Sequence, residues 1–246
     1  MTSAPVKTRQ RARRGEGDRL REELLTATEE LIVEGGEAAV TVRAVAARVG
    51  VSTPSVYLHF ADKQALVDAV CLATWAGLSQ AMHDAADGVD DPFESLRLRG
   101  LAYVQFGLTH REQYRVLLMR PHTDCTDPDC PVLAAGGRAC DELTAAVEAC
   151  VAQGVFRVED PADTTLALWA AAHGVVSLVI SGAIPAMEHA DVEALATMTI
   201  EMAGLGGALA SRLPAHDSDE LQHKDSHALI TGLDMLAAAL DAGGSA

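Results

Sequence analysis

Apolar residues recur along most of the 246-residue chain at intervals of three or four, which is the period of an α-helix. β-branched residues do not gather into alternating runs, so the pattern contains no sign of a β-sheet. Glycines, prolines and polar stretches divide the pattern into nine predicted helices, at residues 18–34, 42–49, 54–60, 62–85, 93–109, 111–120, 132–153, 163–181 and 192–213. The sequence therefore predicts an all-α protein.

The densest helical signals lie just after residue 40. Val42, Val45 and Val49 recur at helical spacing and form one apolar face. Thr41 precedes them, where its hydroxyl can accept a hydrogen bond from a free N–H of the first turn. Gly50 follows them, where a left-handed residue commonly ends a helix. Residues 42–49 therefore read as a short helix followed by a tight turn.

A second short helix is predicted directly after this turn. Thr53 is its expected N-cap, and Pro54 stands at the first helical position, where a missing N–H costs nothing. Val56 and Phe60 should face the core. The outward positions are then polar: Thr53, Ser55, Tyr57 and His59. Two short helices around a tight turn predict a helix-turn-helix whose second helix can enter a DNA major groove.

The segment GVSTPSVYLHFADKQAL, residues 50–66, resembles the recognition helix and following helix start of the TetR family of bacterial transcriptional regulators. The most specific part of the resemblance is the pattern of Tyr57, His59, Phe60 and Lys63. The resemblance is strong over about residues 20–70 and looser beyond. It implies an N-terminal three-helix DNA-binding domain followed by a larger helical domain for effector binding and dimerisation.

The predicted DNA contacts divide into two kinds. The recognition helix lacks Lys and Arg, so base reading would fall to Thr53, Ser55, Tyr57 and His59 through hydroxyls and ring edges. The resemblance assigns phosphate contacts to Arg43 and Lys63. The full predicted DNA-binding set is Thr41, Arg43, Thr53, Pro54, Ser55, Tyr57, His59 and Lys63. Its expected partner is double-stranded DNA carrying an inverted repeat, because a two-fold dimer presents two recognition helices.

The distribution of charge supports this placement. The formal net charge of −16 argues against DNA binding if it is taken for the whole chain. Residues 1–65, however, contain ten basic and nine acidic residues, which leaves −17 on residues 66–246. The first fourteen residues hold five Lys or Arg and no acid. They predict a disordered basic arm, which is either a solvated tail or a source of salt-sensitive phosphate contacts.

The larger domain shows a second resemblance. Trp169, His173 and Gly174 match the Trp-x3-His-Gly pattern of the WHG type of TetR C-terminal domain. A cavity lined by the fifth to eighth helices would then accept a small apolar or aromatic effector. The candidate ligand-binding residues are Tyr103, Phe106, Tyr114, Trp169 and His173. His173 can alternatively be a core histidine that is hydrogen-bonded to a neighbour.

The eighth and ninth helices are the most apolar of the chain. Residues 166–184 contain no Asp, Glu, Lys or Arg over almost the length of a membrane span. Serines, glycines and the absence of flanking basic clusters favour burial in a core or an interface instead. The resemblance implies a homodimer through these two helices, where the small residues around Gly204, Gly206 and Gly207 would allow close approach. A membrane-associated or adaptor protein without DNA is the weaker alternative.

The polar loop at residues 122–131 contains side chains through which the protein could respond to a metal ion or to oxidation instead of a small effector. His122, Cys125 and Cys130 lie there with three aspartates, so a metal-responsive or redox-responsive regulator is an alternative. The spacing is not that of a closed zinc site, and the composition also suits a surface turn.

Five irregularly spaced cysteines and the lack of an apolar leader predict a cytoplasmic protein. We find no phosphate loop, nucleophile elbow or paired-carboxylate motif, so we expect no enzymatic activity, no cofactor and no resident metal.

Together these patterns predict four segments. They are a basic arm at 1–17, a helix-turn-helix domain at 18–65, an effector-binding and dimerisation domain at 66–213, and a polar linker with a further helix at 214–246. The predicted function is that of a dimeric repressor that releases an inverted-repeat operator when it binds its effector.

Overall fold

The computed structural model describes residues 16–119, 130–184 and 188–210, and the structural statements below concern these residues. They form nine helices and no strand, which confirms the all-α prediction. The helices are α1 (Glu16–Ala39), α2 (Val42–Val49), α3 (Thr53–Tyr57), α4 (Lys63–Ala85), α5 (Pro92–Thr109), α6 (Arg111–Leu118), α7 (Pro131–Ala152), α8 (Pro161–Ser181) and α9 (His189–Ala210). The basic arm before residue 16, the loop at 120–129 and the predicted helix at 228–240 lie outside the described residues.

The helix boundaries follow the predicted ones within a few residues, with one instructive difference in α1. The helical segment that begins at Glu16 is interrupted after Glu34, as predicted, and helical turns resume up to Ala39. The backbone leaves helical geometry at Gly35 and Gly36, and Gly36 has φ of 65°. Because this left-handed conformation suits glycine, the Gly-Gly pair ends the first helical segment, and α1 as a whole is two segments joined by a kink.

The helix-turn-helix forms largely by local hydrogen bonds. The Ala44 N–H donates to Thr41 Oγ1 at 3.0 Å, which confirms the predicted cap of α2. Gly50 is left-handed (φ 76°, ψ 35°), and its N–H donates to the Ala46 carbonyl. The predicted cap of α3 is wrong by one position, because Ser52 and not Thr53 precedes the helix. Ser52 makes no side-chain capping bond and is instead hydrogen-bonded through Oγ to Ser55 Oγ at 2.7 Å.

The first apolar cluster, here named the N-terminal core, joins α1–α3 to the start of α4. Its fully buried members include Leu24, Ile32, Val45, Val56 and Leu66. The cluster does not stop at the helix-turn-helix, because it also contains Val116 and Leu117 of α6 and Val132 of α7. The helix-turn-helix region therefore shares its core with two helices of the larger domain.

The second cluster, here named the C-terminal core, is built mainly from α4, α5, α8 and α9, together with Tyr114 of α6. α4 takes part in both cores, through Val70 and Cys71 in the first and Leu78 and Met82 in the second. By length and composition alone, α4 and α8 could each cross a membrane. Both contribute buried residues to a helical core, as core helices of soluble proteins do, so these two matches are weak evidence for a membrane.

Close packing where α5, α6 and α8 meet gives a sharp stability prediction. A Cβ added at Gly107 would lie 2.6 Å from Val176 Cγ1 and 2.9 Å from Tyr114 Cε2. Both neighbours are fully buried, so neither can move aside cheaply. We expect Gly107→Ala to lower the free energy of unfolding by about 1–3 kcal/mol.

The same change at Gly137 of α7 is the matched control for that prediction. Gly137 is exposed, and no atom outside its own helix lies within 4 Å of the position of its Cβ. Gly137→Ala should therefore raise the free energy of unfolding by roughly 0.5–1 kcal/mol through better helix propensity. Urea denaturation of both variants measures the difference, and equal effects would contradict the tight packing at Gly107.

Candidate DNA interface and effector cavity

The recognition helix α3 presents few side chains freely to solvent. Tyr57 is 53% exposed, and Pro54 is exposed beside it. Ser55 is half-buried and tied to Ser52, and Thr53 is also half-buried. Of the four predicted base-reading residues, Tyr57 is therefore the one most available to a groove.

His59 is less exposed than predicted, whereas the residue before it is highly exposed. His59 is half-buried, and its Cε1 lies 3.9 Å from the position that a Cβ would occupy at Gly17, near the start of α1. Leu58 is 83% exposed, and the sequence reasoning did not single it out. The sequence pattern indicates this exposure, because Leu58 lies outside the buried apolar stripe formed by Val56 and Phe60.

The basic residues near α2 differ in how strongly neighbouring carboxylates bind them. Both terminal nitrogens of Arg48 are held by the carboxylates of Glu30 and Glu34 on α1, with Nη1 at 2.9 Å from an oxygen of each. Hydrogen bonds from Arg48 lower the pKa of Glu34, and those to Glu34 and Glu30 raise the pKa of Arg48. This arginine therefore ties α2 to α1 and is not a free phosphate contact.

Carboxylates hold the two predicted phosphate contacts less tightly than they hold Arg48. Arg43 is exposed near the start of α2, and no ion pair of Arg43 occurs within the described ranges. Lys63 begins α4, and its Nζ lies 3.5 Å from Glu37 Oε1. The Lys63 side chain is 41% exposed. A phosphate can therefore compete with Glu37 for its ammonium group.

The larger domain contains a partly open cavity of about 260 Å³, here named the large cavity. Its walls come from four helices and one residue at the end of α6, and they are almost wholly apolar. Residues that line it include Trp75, Leu78, Met82, Tyr103, Leu118, Val132, Leu133, Cys140, Leu143 and Trp169. A smaller pocket of about 40 Å³, here named the arginine pocket, shares Met82, Tyr103, Leu143 and Trp169 with it and extends to Arg97 and Arg99.

The predicted ligand-binding residues occupy two layers around this cavity. Tyr103 and Trp169 line it directly. Tyr114 and His173 do not appear in its walls and lie behind Tyr103. Phe106 lies elsewhere, with its ring stacked on His110 at 4.2 Å between centroids and packed beside Gly77. The structure therefore brings four of the five predicted residues together and separates Phe106 from them.

A hydrogen-bonded network connects the first layer to the second. Trp169 Nε1 donates to the Tyr103 hydroxyl at 3.0 Å, and that hydroxyl is bonded to the hydroxyl of Tyr114 at 2.7 Å. The Tyr114 hydroxyl lies 2.6 Å from His173 Nδ1, and Ser177 Oγ lies 2.9 Å from His173 Nε2. Burial raises the pKa of Tyr103 to about 12 and also raises that of Tyr114. These groups are thus neutral at pH 7 and hold the wall of the cavity in one arrangement.

The environment of His173 predicts a pH dependence of stability. Burial lowers its pKa below the ordinary value near 6.5, so the unfolded chain takes up the proton at a higher pH than the folded protein. The stability that neutral His173 contributes is present above about pH 6.5 and is lost as the pH falls through the lower folded pKa. We expect the midpoint of thermal unfolding to drop between pH 7.5 and 5.5, and to drop less in His173→Gln. An equal drop in both proteins would contradict a neutral His173.

An apolar surface remains exposed on the two helices that close the bundle. Leu166 and Leu178 of α8 and Met198, Met202 and Leu205 of α9 are between 46% and 67% exposed. We name these five side chains the α8–α9 face. Large exposed apolar side chains on neighbouring helices are typical of a protein–protein contact surface. Gly204 does not serve that surface as predicted, because it is buried against the Phe93 ring, whereas Gly206 is exposed with open space around it.

The loop at residues 122–131, the alternative metal-responsive or redox-responsive site, lies mostly outside the described ranges. Cys130 is buried and disulfide-bonded, so its thiol is not available as a metal ligand. Within the described ranges, no group of three or more His, Cys, Asp or Glu residues is arranged to hold a metal ion. The redox alternative stays a prediction.

Sequence comparison connects both parts of the fold to one family. Residues 24–70 match the sequence profile described as bacterial regulatory proteins of the tetR family, and residues 96–203 match the profile described as the tetracyclin repressor-like C-terminal domain. Comparison with curated protein sequences gives no significant match. The two matched ranges contain the recognition helix and the cavity-lining residues Tyr103 and Trp169.

Solved structures show the same fold over most of the chain. A protein of unknown function from Rhodococcus sp. RHA1 is 26% identical with a TM-score of 0.67, covering 77% of this chain and 95% of that one. The TetR family regulator PfmR from Thermus thermophilus is 23% identical with a TM-score of 0.58, covering 73% and 96%. The ketosteroid transcriptional regulator KstR2 of Mycobacterium tuberculosis is 19% identical with a TM-score of 0.56, covering 76% and 94%.

Proposed function

Because the chain belongs to the TetR family of bacterial transcriptional regulators, which are DNA-binding proteins, we propose that it is a ligand-responsive repressor. In this proposal a homodimer binds an inverted-repeat operator and is released by a small, largely apolar effector. One observation carries the proposal, namely that the wall of the large cavity is also packed against the core of the DNA-binding region. Val132 belongs to both, and Trp75 and Leu118 line the cavity while packing on the N-terminal core.

The shared wall supplies a physical route from effector to DNA. Trp75 lies on α4 and Leu118 on α6, and both of these helices pack against α1. A ligand that spreads Trp75 and Leu118 would therefore displace the helices on which the helix-turn-helix rests. Such a ligand shifts the protein towards the form without DNA only by its higher affinity for that form.

On the DNA side, the recognition helix covers only a few base pairs. Tyr57 and the exposed end of α3 would read bases, and Arg43 and Lys63 would bind phosphates. A second copy is needed to place another recognition helix in the next major groove, roughly 34–36 Å away. The expected operator is consequently an inverted repeat.

We propose that the second copy binds through the α8–α9 face. The five large apolar side chains there are exposed in the single chain, and burial of each would contribute to association through the hydrophobic effect. Glu193 and Glu201 are exposed on the same α9 helix and suit a polar rim. A soluble dimer of this kind would act in the cytoplasm.

The experiment that tests the proposed function is in vitro selection of random duplex DNA by the purified full-length protein. Recovery of an inverted repeat would support a dimeric, sequence-reading regulator and would provide the operator probe. Recovery of no motif by a folded protein would overturn it. With the probe available, a ligand that binds the cavity but leaves operator affinity unchanged would remove the sensing role alone.

A further inference from the structure

Arg99 carries a polar atom that the fold leaves without a partner. Its Nε is fully shielded from solvent and makes no hydrogen bond, and within the described ranges no other buried side-chain nitrogen or oxygen shares this condition. Arg99 also forms no ion pair in those ranges. A guanidinium is always charged, and a buried donor without a partner costs free energy. Arg99 as a residue is half-buried, so the protein retains a guanidinium with one shielded and unsatisfied N–H beside the arginine pocket.

Arg97 lies on the same helix as Arg99 and, unlike Arg99, is paired with a carboxylate. Its Nε and Nη2 donate to the two carboxylate oxygens of Glu94, both at 2.7 Å. These hydrogen bonds raise the pKa of Arg97 and lower that of Glu94. Among the residues that the structure describes, a carboxylate pairs with Arg97 and none pairs with Arg99.

The position of Arg99 connects this unmatched charge to the large cavity. Arg99 lines the arginine pocket, which shares Tyr103, Leu143 and Trp169 with the large cavity. The arginine pocket holds about 40 Å³, more than the 10–15 Å³ or so that one water needs. An apolar body in the large cavity could thus extend a small polar head past these shared side chains to Arg99.

Resting on the proposed function above, we infer that the effector is an apolar monocarboxylate whose carboxylate binds Arg99. A carboxylate matches the planar fork of a guanidinium and can accept two of its N–H groups. One negative charge balances one unmatched arginine, whereas a neutral apolar ligand would leave Arg99 Nε unsatisfied. The nearly apolar walls of the large cavity select for the hydrocarbon part of the molecule.

The test compares acids with alcohols of the same skeleton. Octanoate is paired with octan-1-ol, and 4-phenylbutyrate with 4-phenylbutan-1-ol, so that straight-chain and aromatic bodies are both sampled. Binding is followed by the fluorescence of Trp75 and Trp169, which both line the large cavity and are the two tryptophans of the chain, and by calorimetry. The variants are Arg99→Met, which keeps an unbranched side chain about as long as the arginine stem to Nε but without the charge, and Arg99→Lys. Arg157→Met, an exposed arginine between α7 and α8, controls for net charge.

We expect at least one acid to bind the wild-type protein more tightly than its alcohol. Arg99→Met should weaken that acid about 10- to 100-fold, since a hydrogen bond to a charged group is worth about 1.5–3 kcal/mol and each tenfold change in affinity corresponds to about 1.4 kcal/mol. Arg99→Lys should weaken it less, and Arg157→Met should have no effect. Unchanged binding of the alcohol to Arg99→Met shows that this variant still folds.

Three results would overturn the inference: neither acid binds, the alcohols bind as tightly as the acids, or Arg99→Met binds the acids as well as the wild type does. A shift assay with the selected operator separates this failure from failure of the sensing role. If alcohols release the DNA and acids do not, the protein is a sensor and the carboxylate assignment is wrong. If an acid binds through Arg99 without releasing the DNA, the carboxylate site stands and the sensing role fails.

Discussion

Replacing both Met198 and Met202 with aspartate is expected to make the protein monomeric and to weaken its binding to an inverted-repeat operator about 100- to 10,000-fold. The two side chains are 53% and 67% exposed one helical turn apart on α9. In the proposed dimer, the substitutions would bury four carboxylates, two from each copy, without partners, and this is unfavourable by several kcal/mol. A monomer loses the avidity of two linked half-site contacts, which is worth about 10²- to 10⁴-fold.

The measurement combines sedimentation equilibrium for mass with a shift assay on the operator. Ala145→Asp with Ala149→Asp is the matched control, since both alanines are exposed on α7 with the same spacing of four residues. This control should remain dimeric and bind DNA. A dimeric Met198→Asp, Met202→Asp variant would show that another surface joins the copies.

Replacing Tyr57 with alanine is expected to produce the largest loss of DNA sequence preference from a single residue. Tyr57 is the most exposed of the predicted base-reading side chains, so its loss should leave folding unchanged. We estimate a loss of about 1–2 kcal/mol at each half-site, in the lower part of the range for a mismatched base pair. Two half-sites double this figure, and operator affinity should fall about 30- to 1,000-fold. Tyr57→Phe, which keeps the ring, separates the contribution of the hydroxyl.

Lys63→Gln is the contrast that distinguishes base reading from phosphate binding. It should weaken operator and random DNA alike and should reduce the slope of log affinity against log salt by roughly 0.9 for each phosphate that is no longer neutralised. Tyr57→Ala should leave both the salt slope and the affinity for random DNA nearly unchanged. If Tyr57→Ala weakens random DNA as much as the operator, Tyr57 binds the backbone and does not read bases.

Features that depend on neighbours within one or two helical turns could be predicted from the sequence. The cap at Thr41, the left-handed Gly50 and the buried Val56 and Phe60 are all confirmed, because each follows from hydrogen bonds or apolar spacing inside a short segment. The error at the start of α3 is of the same local kind. Ser52 and Thr53 both suit an N-cap, and the side chain of Ser52 is bonded to Ser55 instead of to the backbone.

Features that depend on which helices meet could not be predicted in this way. The helical period shows which side of α5 is apolar, but it does not show that Tyr103 faces the large cavity while Phe106 packs beside Gly77. Likewise, the sequence pattern does not show that Glu30 and Glu34 of α1 lie against Arg48. In both cases the partner lies far along the chain or on another helix.

The sequence by itself thus determined the all-α fold, the positions of the described helices within a few residues and the family to which the helix-turn-helix belongs. The tertiary structure alone decided which side chains line the cavity, that this cavity shares its wall with the N-terminal core, and that Arg99 is left without a partner. The physical reason is that helix formation depends on contacts three or four residues apart. Cavities and unmatched charges depend instead on the angles and distances at which separate helices pack.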